Sequence, residues 1–144
     1  MANSIWLNVL DVIFVFVLGI IAYRDGRTRI VSNFFIIMLC SLAIIRMFGI
    51  GSALPLLGLS PALLTALFFY HDGKNIGGAD IKCMAGIGAY LGLLPALESY
   101  MIAFVLAIIV SVVKKRLTQD KEKVGIPLCV YLAIGATITI LSKI

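Results

Sequence analysis

Two aspartates stand beside apolar segments of the chain and could act together in catalysis. Asp25 follows the first apolar segment, and Asp80 follows Gly77, Gly78 and Ala79 and opens a later segment. Acidic side chains are costly to keep near lipid, so in this setting they indicate function by default. Two carboxylates at one place can share a single proton and thereby supply both a base and an acid. The pattern predicts a pair that activates water and protonates a leaving amine, as peptide hydrolysis requires.

The composition predicts an all-α integral membrane protein. Of its 144 residues, 62% are hydrophobic and 13% are charged, and the mean hydropathy is +1.12. A soluble domain of this length could not bury so much apolar surface, so lipid must be its main solvent. The long unbroken apolar runs favour helices over the alternating strands of a membrane barrel.

Six apolar segments predict a bundle of about six transmembrane helices in a single domain, 1–144. The segments cover residues 5–23, 34–50, 51–70, 80–94, 100–113 and 126–141. Pro55 and Pro61 are expected to kink or shorten the third segment, because proline disrupts a helix interior. Pro95, followed by Glu98 and Ser99, is expected to mark the turn into the fifth segment.

The placement of lysine and arginine predicts the orientation of this bundle. With six spans, the loops after the first, third and fifth segments share one side and hold ten of the twelve basic residues. Basic loops stay in the cytoplasm, so we expect both termini on the non-cytoplasmic side of the inner membrane. Asp25 and Asp80 are then expected at one depth, near the cytoplasmic face. The net charge of +5 follows from this bias and from attraction to lipid headgroups, so no nucleic-acid partner is expected. The ten basic residues are Arg24, Arg27, Arg29, Lys74, Lys82, Lys114, Lys115, Arg116, Lys121 and Lys123.

The two aspartates also have structural interpretations. Asp80 could cap the N-terminus of a helix by accepting backbone N–H bonds. Asp25 could be a charge at the membrane edge that neighbouring arginines balance. Asp11 lies about midway along the first segment, and we expect it to be structural, with Asn8 or a hydroxyl on another span as its partner. Its distance from Asp25 along a helix, about 21 Å, is too great for the same pair.

Other residues near the aspartates could bind substrate or serve the fold. Lys82 and Asn33 could contact a substrate or could simply be polar residues at helix ends. Gly86 and Gly88, among the small residues of the fourth segment, are expected to bring it close to the first.

Neither the cysteines nor the single histidine predict a metal site. Cys40, Cys83 and Cys129 form no C-x-x-C pair, and they are expected to be small buried hydrophobes. His71 is expected to be a surface residue of a loop.

Three stretches of the sequence resemble the type IV prepilin peptidase family of membrane aspartic proteases with a G-x-G-D motif. The first runs from Asp25 to Asn33 and has an aspartate, basic residues and Ile-Val-Ser-Asn. The second is Gly77-Gly-Ala-Asp-Ile-Lys, with the small residues that follow it, and the third is the proline-containing last segment from Ile126.

The resemblance implies that Asp25 and Asp80 are the catalytic pair of an endopeptidase. Such enzymes remove the short basic leader of pilin-like precursors, prepilins or preflagellins, at the cytoplasmic face of the membrane. It also implies an active-site loop of Gly77, Gly78 and Ala79, and no metal or organic cofactor. A cation such as Lys82 or Arg27, together with Asn33, could then contact the precursor.

The chain departs from the family pattern in three ways. Ala79 stands where the strict motif has its second glycine, and Ser32 stands where the family often has proline. Alanine lacks the freedom of glycine at positive φ, and serine would leave the turn after Asp25 looser. Longer members carry an insert with paired C-x-x-C sequences and also methylate the new N-terminus. This chain has no such insert, so cleavage without methylation is expected.

Two other functions fit a small membrane protein that contains acids. A proton- or cation-coupled transporter would use Asp11 and Asp25 as relay groups. A non-catalytic assembly subunit would hold pilins in the membrane and would tolerate loss of either acid of the predicted pair. The transporter does not explain why two acids should meet at one edge of the bilayer beside a glycine-rich segment.

Overall fold

The computed structural model describes residues 2–28, 31–69, 78–117 and 127–143, and all the regular secondary structure in these ranges is helical. This confirms the predicted all-α class. A 3-10 helix, Leu54–Leu59, leads directly into α3. The α-helices are α1 (Ala2–Thr28), α2 (Asn33–Ile50), α3 (Ser60–Phe69), α4 (Gly78–Leu91), α5 (Leu93–Leu117) and α6 (Leu128–Leu141).

Three helices, α1, α2 and α5, are long and apolar enough to cross a membrane, and Leu54–Phe68 and Leu128–Leu141 are shorter apolar helices. Large apolar side chains also cover the outer surface. Phe48 is 84% exposed, Leu94 77% and Trp6 70%. Such a surface would aggregate in water but is well solvated by lipid. The total of six spans and the side on which the termini lie stay predictions.

α4 lies at the centre of the bundle. It contacts α2, α3, the 3-10 helix, α5 and α6, and seven of its fourteen residues are buried. Glycine allows the closest of these contacts, because a Cβ on Gly88 would overlap the carbonyl oxygen of Gly58 in the 3-10 helix, and the reverse is also true. A Cβ on Gly86 would lie 3.0 Å from the side chain of Leu39 in α2. The expectation that these glycines bring α4 against α1 is therefore wrong, since they meet the 3-10 helix and α2.

The turn between α4 and α5 lies earlier than the sequence predicted. Gly92, with φ +85°, separates the two helices, and Pro95 is the third residue of α5. Glu98 and Ser99 are helical as well. Proline is tolerated in the first turn of a helix because the N–H that it lacks would have no partner in the helix there. Pro55 behaves similarly at the start of the 3-10 helix, where the predicted third segment is broken.

A buried polar cluster joins α1, α2 and α4. Arg46 forms an ion pair with Asp11, and the Tyr90 hydroxyl donates a 2.7 Å hydrogen bond to the same carboxylate. The Arg46 guanidinium carbon lies 4.5 Å from the centre of the Tyr90 ring, and Phe14 stacks on that ring with 3.7 Å between the ring centres. The predicted hydroxyl partner of Asp11 is therefore Tyr90, whereas the ion pair with Arg46 was not foreseen.

Candidate active site

Asp25 lies on the inner face of α1, one turn before the end of that helix. The predicted first segment ended at residue 23, but α1 continues to Thr28. Leu18, Ile21 and Asp25 are spaced three and four residues apart, which places them on one helix face, and each is less than 5% exposed. Asp25 thus continues the apolar face of α1 into the interior.

The arginines beside Asp25 are directed towards the surface and lie over aromatic rings. Arg24 and Arg27 are both exposed. The guanidinium of Arg24 lies 5.6 Å from the ring centre of Phe35, and that of Arg27 lies 5.6 Å from the ring centre of Tyr23. These contacts contribute modestly at exposed sites, about 0.5–1 kcal/mol each, and they keep positive charge at the end of α1.

Asp80 is the third residue of α4, so the structural interpretation of it as a helix cap is wrong. Gly78 and Ala79 belong to the same first turn, which also corrects their assignment to an active-site loop; Gly77 lies outside the described residues. Ala79 is helical and does not need positive φ, so the lack of a second glycine costs nothing in this conformation. A carboxylate in the first turn is favoured by the positive end of the helix dipole.

The fold brings the two aspartates together although they are 55 positions apart in sequence. One carboxylate oxygen of Asp25, one of Asp80 and the Sγ of Cys129 all lie within 4.8 Å of one another. Asp25 is buried and Asp80 is partly exposed, so the pair is open to its surroundings on the Asp80 side. Hydrogen bonds to water oxygen are about 2.8 Å long, so one water can bridge two oxygens at this separation.

Sequence reasoning missed the part that two cysteines take in this site. The Sγ of Cys129, in α6, lies 3.2 Å from Asp80 Oδ1 and 2.9 Å from Cys83 Sγ. Both residues are buried, as predicted, but Cys40 is exposed. One signal was available for Cys83, since it follows Asp80 by three residues and such residues share a helix face. For Cys129 the signal was weaker: it stands two residues after Pro127, at the start of the last helix.

The predicted substrate contacts lie at the surface next to the pair. Lys82 Nζ donates a 2.9 Å hydrogen bond to Asn33 Oδ1, and both side chains are exposed. This contact joins the first residue of α2 to the second turn of α4. Arg27 is exposed on the last turn of α1. The role of these three residues in binding a substrate stays a prediction.

Ser32, at the start of α2, has the backbone conformation that proline would have at this position. Its φ is −65°, which is the value that proline imposes. Its Oγ also accepts a hydrogen bond of 3.4 Å from the backbone N–H of Phe34, which proline could not provide. Serine therefore keeps the backbone conformation and caps α2 as well.

An apolar groove lies between α1 and α6, and its lining includes neighbours of Asp25 and Cys129. It has a volume of about 280 Å³ and is lined by Val15, Gly19, Ala22, Val130, Ala133, Ile134, Thr137 and Ile138. Ala22 is one turn before Asp25, and Val130 follows Cys129. A built Cβ on Gly19 meets nothing within 4 Å, so the groove is open at its middle.

Comparison with known proteins identifies the family. Searches of curated proteins and of solved structures gave no match. A sequence model described as the type IV leader peptidase family matches residues 12–112. The matched range includes both Asp25 and Asp80 and ends before α6. It covers more than half of the sequence and confirms the resemblance noted above, and the chain belongs to the type IV leader peptidase family.

Proposed function

We propose that the chain is a membrane-embedded aspartic endopeptidase that removes the leader from type IV pilin-like precursors. The observation that carries this proposal is the approach of the Asp25 and Asp80 carboxylates to within 4.8 Å. The two residues belong to different helices, and both fall within the range that matches a family of leader peptidases. The two carboxylates are close because of the way the helices pack, not because they are neighbours in sequence. This supports a common role for them in catalysis.

In the proposed reaction a water lies between the two carboxylates, of which one is ionised and one is protonated. Asp80 is better placed to be the ionised group, because it lies at a helix N-terminus and accepts a contact from the Cys129 thiol. Asp25, buried on an apolar helix face, then carries the proton. Asp80 takes a proton from the water as it attacks the scissile carbonyl. Asp25 stabilises the developing oxyanion, and a proton then passes to the leaving amine.

The distribution of charge supports cleavage at the cytoplasmic face of the inner membrane. The last turn of α1 contains Arg27, and the last turn of α5 contains the run Lys114, Lys115 and Arg116. Positive charge at helix ends favours the cytoplasmic side, and Asp25 lies at such an end. The leader of the precursor would reach the pair from this side while its apolar helix stays in the lipid. We place that helix in the groove between α1 and α6, because Ala22 in its lining is one turn before Asp25 and Val130 follows Cys129.

Cleavage without methylation is part of the proposal. The sequence has no paired C-x-x-C insert, which is the feature that accompanies methylation in the longer enzymes that it resembles. A transporter that uses Asp11 as a relay group has less support, because Arg46 and Tyr90 hold that carboxylate.

The proposal can be tested with purified protein in liposomes and a synthetic pilin precursor. Mass spectrometry should show loss of the leader and no added methyl group on the new N-terminus. Asp25→Asn and Asp80→Asn should each abolish cleavage, because each leaves one carboxylate without its partner. Glu98→Gln, which changes an exposed acid on α5, is the matched control and should cleave normally. Cleavage by both asparagine variants would refute the assignment, and loss of ion flux instead of cleavage would favour a transporter.

A further inference from the structure

Four potential metal ligands converge where α1, α4 and α6 meet. Asp25, Asp80 and Cys129 offer three atoms within 4.8 Å of one another. The fourth, Cys83, lies outside this group of three but beside it, with its Sγ 2.9 Å from that of Cys129. Two carboxylates and two thiols in one small volume are more than the hydrolysis of a peptide requires, because the proposed reaction uses only the carboxylates.

The Asp25, Asp80 and Cys129 atoms have a spacing close to that of ligands in a tetrahedral zinc site. Zinc binds thiolate sulfur at about 2.3 Å and carboxylate oxygen at about 2.0–2.2 Å, so its ligand atoms lie about 3.4–3.8 Å apart. To reach this geometry, the two sulfurs must separate by less than about 1 Å, and the widest distance among the Asp25, Asp80 and Cys129 atoms must close by about 1 Å. Cys83 must also turn its thiol towards the carboxylates. We expect rotation about side-chain bonds, rather than movement of a helix, to make these changes.

The chemistry of the set selects a thiophilic cation over magnesium or calcium. Thiolates are soft ligands that prefer zinc and similar metals, whereas magnesium and calcium prefer oxygen alone. Asp80 is partly exposed, which gives a cation a route to the site. The positive charge of the metal would also offset the repulsion among four anionic ligands held close together.

We propose that Asp25, Asp80, Cys83 and Cys129 form a binding site for a thiophilic divalent cation such as Zn²⁺. On binding, each thiol loses its proton to the buffer, and any proton held by the carboxylate pair is released too. The metal then occupies the place of the attacking water and uses the carboxylate oxygens that would take and give protons. Bound metal therefore inhibits the protease, and this last consequence rests on the proposed function.

Binding is tested without reference to activity. The full chain, purified in detergent under reducing conditions and stripped with a chelator, is titrated with Co²⁺ as a coloured substitute for Zn²⁺. We expect one Co²⁺ per chain, a sulfur-to-cobalt charge-transfer band, and displacement by Zn²⁺. Cys83→Ser and Cys129→Ser should each weaken Zn²⁺ binding at least about tenfold, because each removes one of four ligands. Using both variants keeps the test decisive if one of them does not fold.

Two control variants remove the remaining thiol and the single histidine of the sequence. Cys40→Ser removes the exposed thiol, and His71→Ala removes the single histidine; both should bind like the unchanged chain. The proposal is wrong if no charge-transfer band appears, if either control abolishes it, or if both buried-cysteine variants bind as tightly as the unchanged chain.

Inhibition is measured separately, with a precursor that lacks cysteine and histidine. Saturating Zn²⁺ should lower the cleavage rate at least about tenfold, and a chelator should restore it. For Cys83→Ser, inhibition is expressed as a fraction of the metal-free cleavage rate of that variant. The same fractional inhibition should require at least about tenfold more Zn²⁺ than in the unchanged chain. Cleavage that continues unchanged with metal bound would overturn the inhibitory role. Metal binding by a chain that cleaves no precursor would instead overturn the proposed function and leave the metal site intact.

Discussion

Replacing Gly88 by alanine should separate α4 from the 3-10 helix and thereby disturb the position of Asp80. A Cβ at this position would overlap the Gly58 carbonyl oxygen and lie 2.8 Å from the Tyr100 hydroxyl. Neither obstacle is easily removed, because one is backbone and the other belongs to a buried ring whose hydroxyl donates a 2.6 Å hydrogen bond to the Met84 carbonyl. Since non-bonded carbon contacts are about 3.5–4.0 Å long, the two backbones must move apart by on the order of 1 Å.

The expected change in the free energy of unfolding is the difference between the cost of overpacking and the gain in helix propensity. Overpacking a tight contact costs about 1–3 kcal/mol, whereas replacing a helical glycine by alanine gains up to about 1 kcal/mol in helix propensity. Gly88→Ala should therefore lower the free energy of unfolding by about 0–3 kcal/mol. The activity should fall further, by roughly tenfold to a hundredfold, because a displacement of about 1 Å at a reacting group can cost a factor of about 100.

Gly49→Ala is the matched control. Gly49 is also helical, in α2, but a Cβ there would lie 3.8 Å from Leu7, which is an ordinary contact. This variant should be as stable as the unchanged chain or more stable, and it should keep its cleavage rate. Unfolding in mixed micelles, followed by circular dichroism, gives the stability, and mass spectrometry of the precursor gives the rate. Equal stability and equal rates for the two variants would refute the argument from close packing.

Three other substitutions test separate contacts. Tyr90→Phe should lower the free energy of unfolding by about 0.5–1.5 kcal/mol, because the hydrogen bond to Asp11 is lost while the ring contacts remain; no loss in micelle unfolding would contradict this. Lys82→Ala should raise KM for a precursor with an acidic residue next to the cleavage site more than for its neutral variant, and equal KM changes would remove Lys82 from substrate binding. Gly19→Leu should fill the groove between α1 and α6 and lower kcat/KM severalfold, whereas Val12→Leu, an exposed position on α1, should not; equal effects of the two would place the precursor helix elsewhere.

The sequence could predict the helical class and the importance of the two aspartates because both depend on local chemistry. Apolar runs must form helices in lipid, whatever their neighbours. Asp25 and Asp80 stood out because charged groups are rare in such surroundings. Their approach was expected from the order of the segments, but the helix packing that achieves it was not. Gly58 and Gly88, whose backbones meet, lie in segments whose contact no local pattern specifies.

The errors at the helix ends have a common physical origin. The predictions ended helices at charged residues or prolines, but α1 continues through Arg24, Asp25 and Arg27, and α5 begins before Pro95. Charged side chains near a bilayer edge can reach water from a helical backbone, and proline fits the first helical turn. Cys129 was missed for another reason, since an isolated cysteine in an apolar segment gives no sign of its neighbours in the fold.

The polar cluster of Asp11, Arg46 and Tyr90 should influence the position at which a precursor is cut. It fastens α1 to α2 and α4 at a point about 21 Å along the helix from Asp25. Because a helix is stiff along its axis, the contacts that fix Asp11 also fix the height of Asp25 near the C-terminal end of α1. The contacts of Asp11 would then fix the height of Asp25, and with it the height at which the proposed protease cuts. Precursors with apolar segments of different lengths should accordingly be cut at the same distance from the membrane boundary.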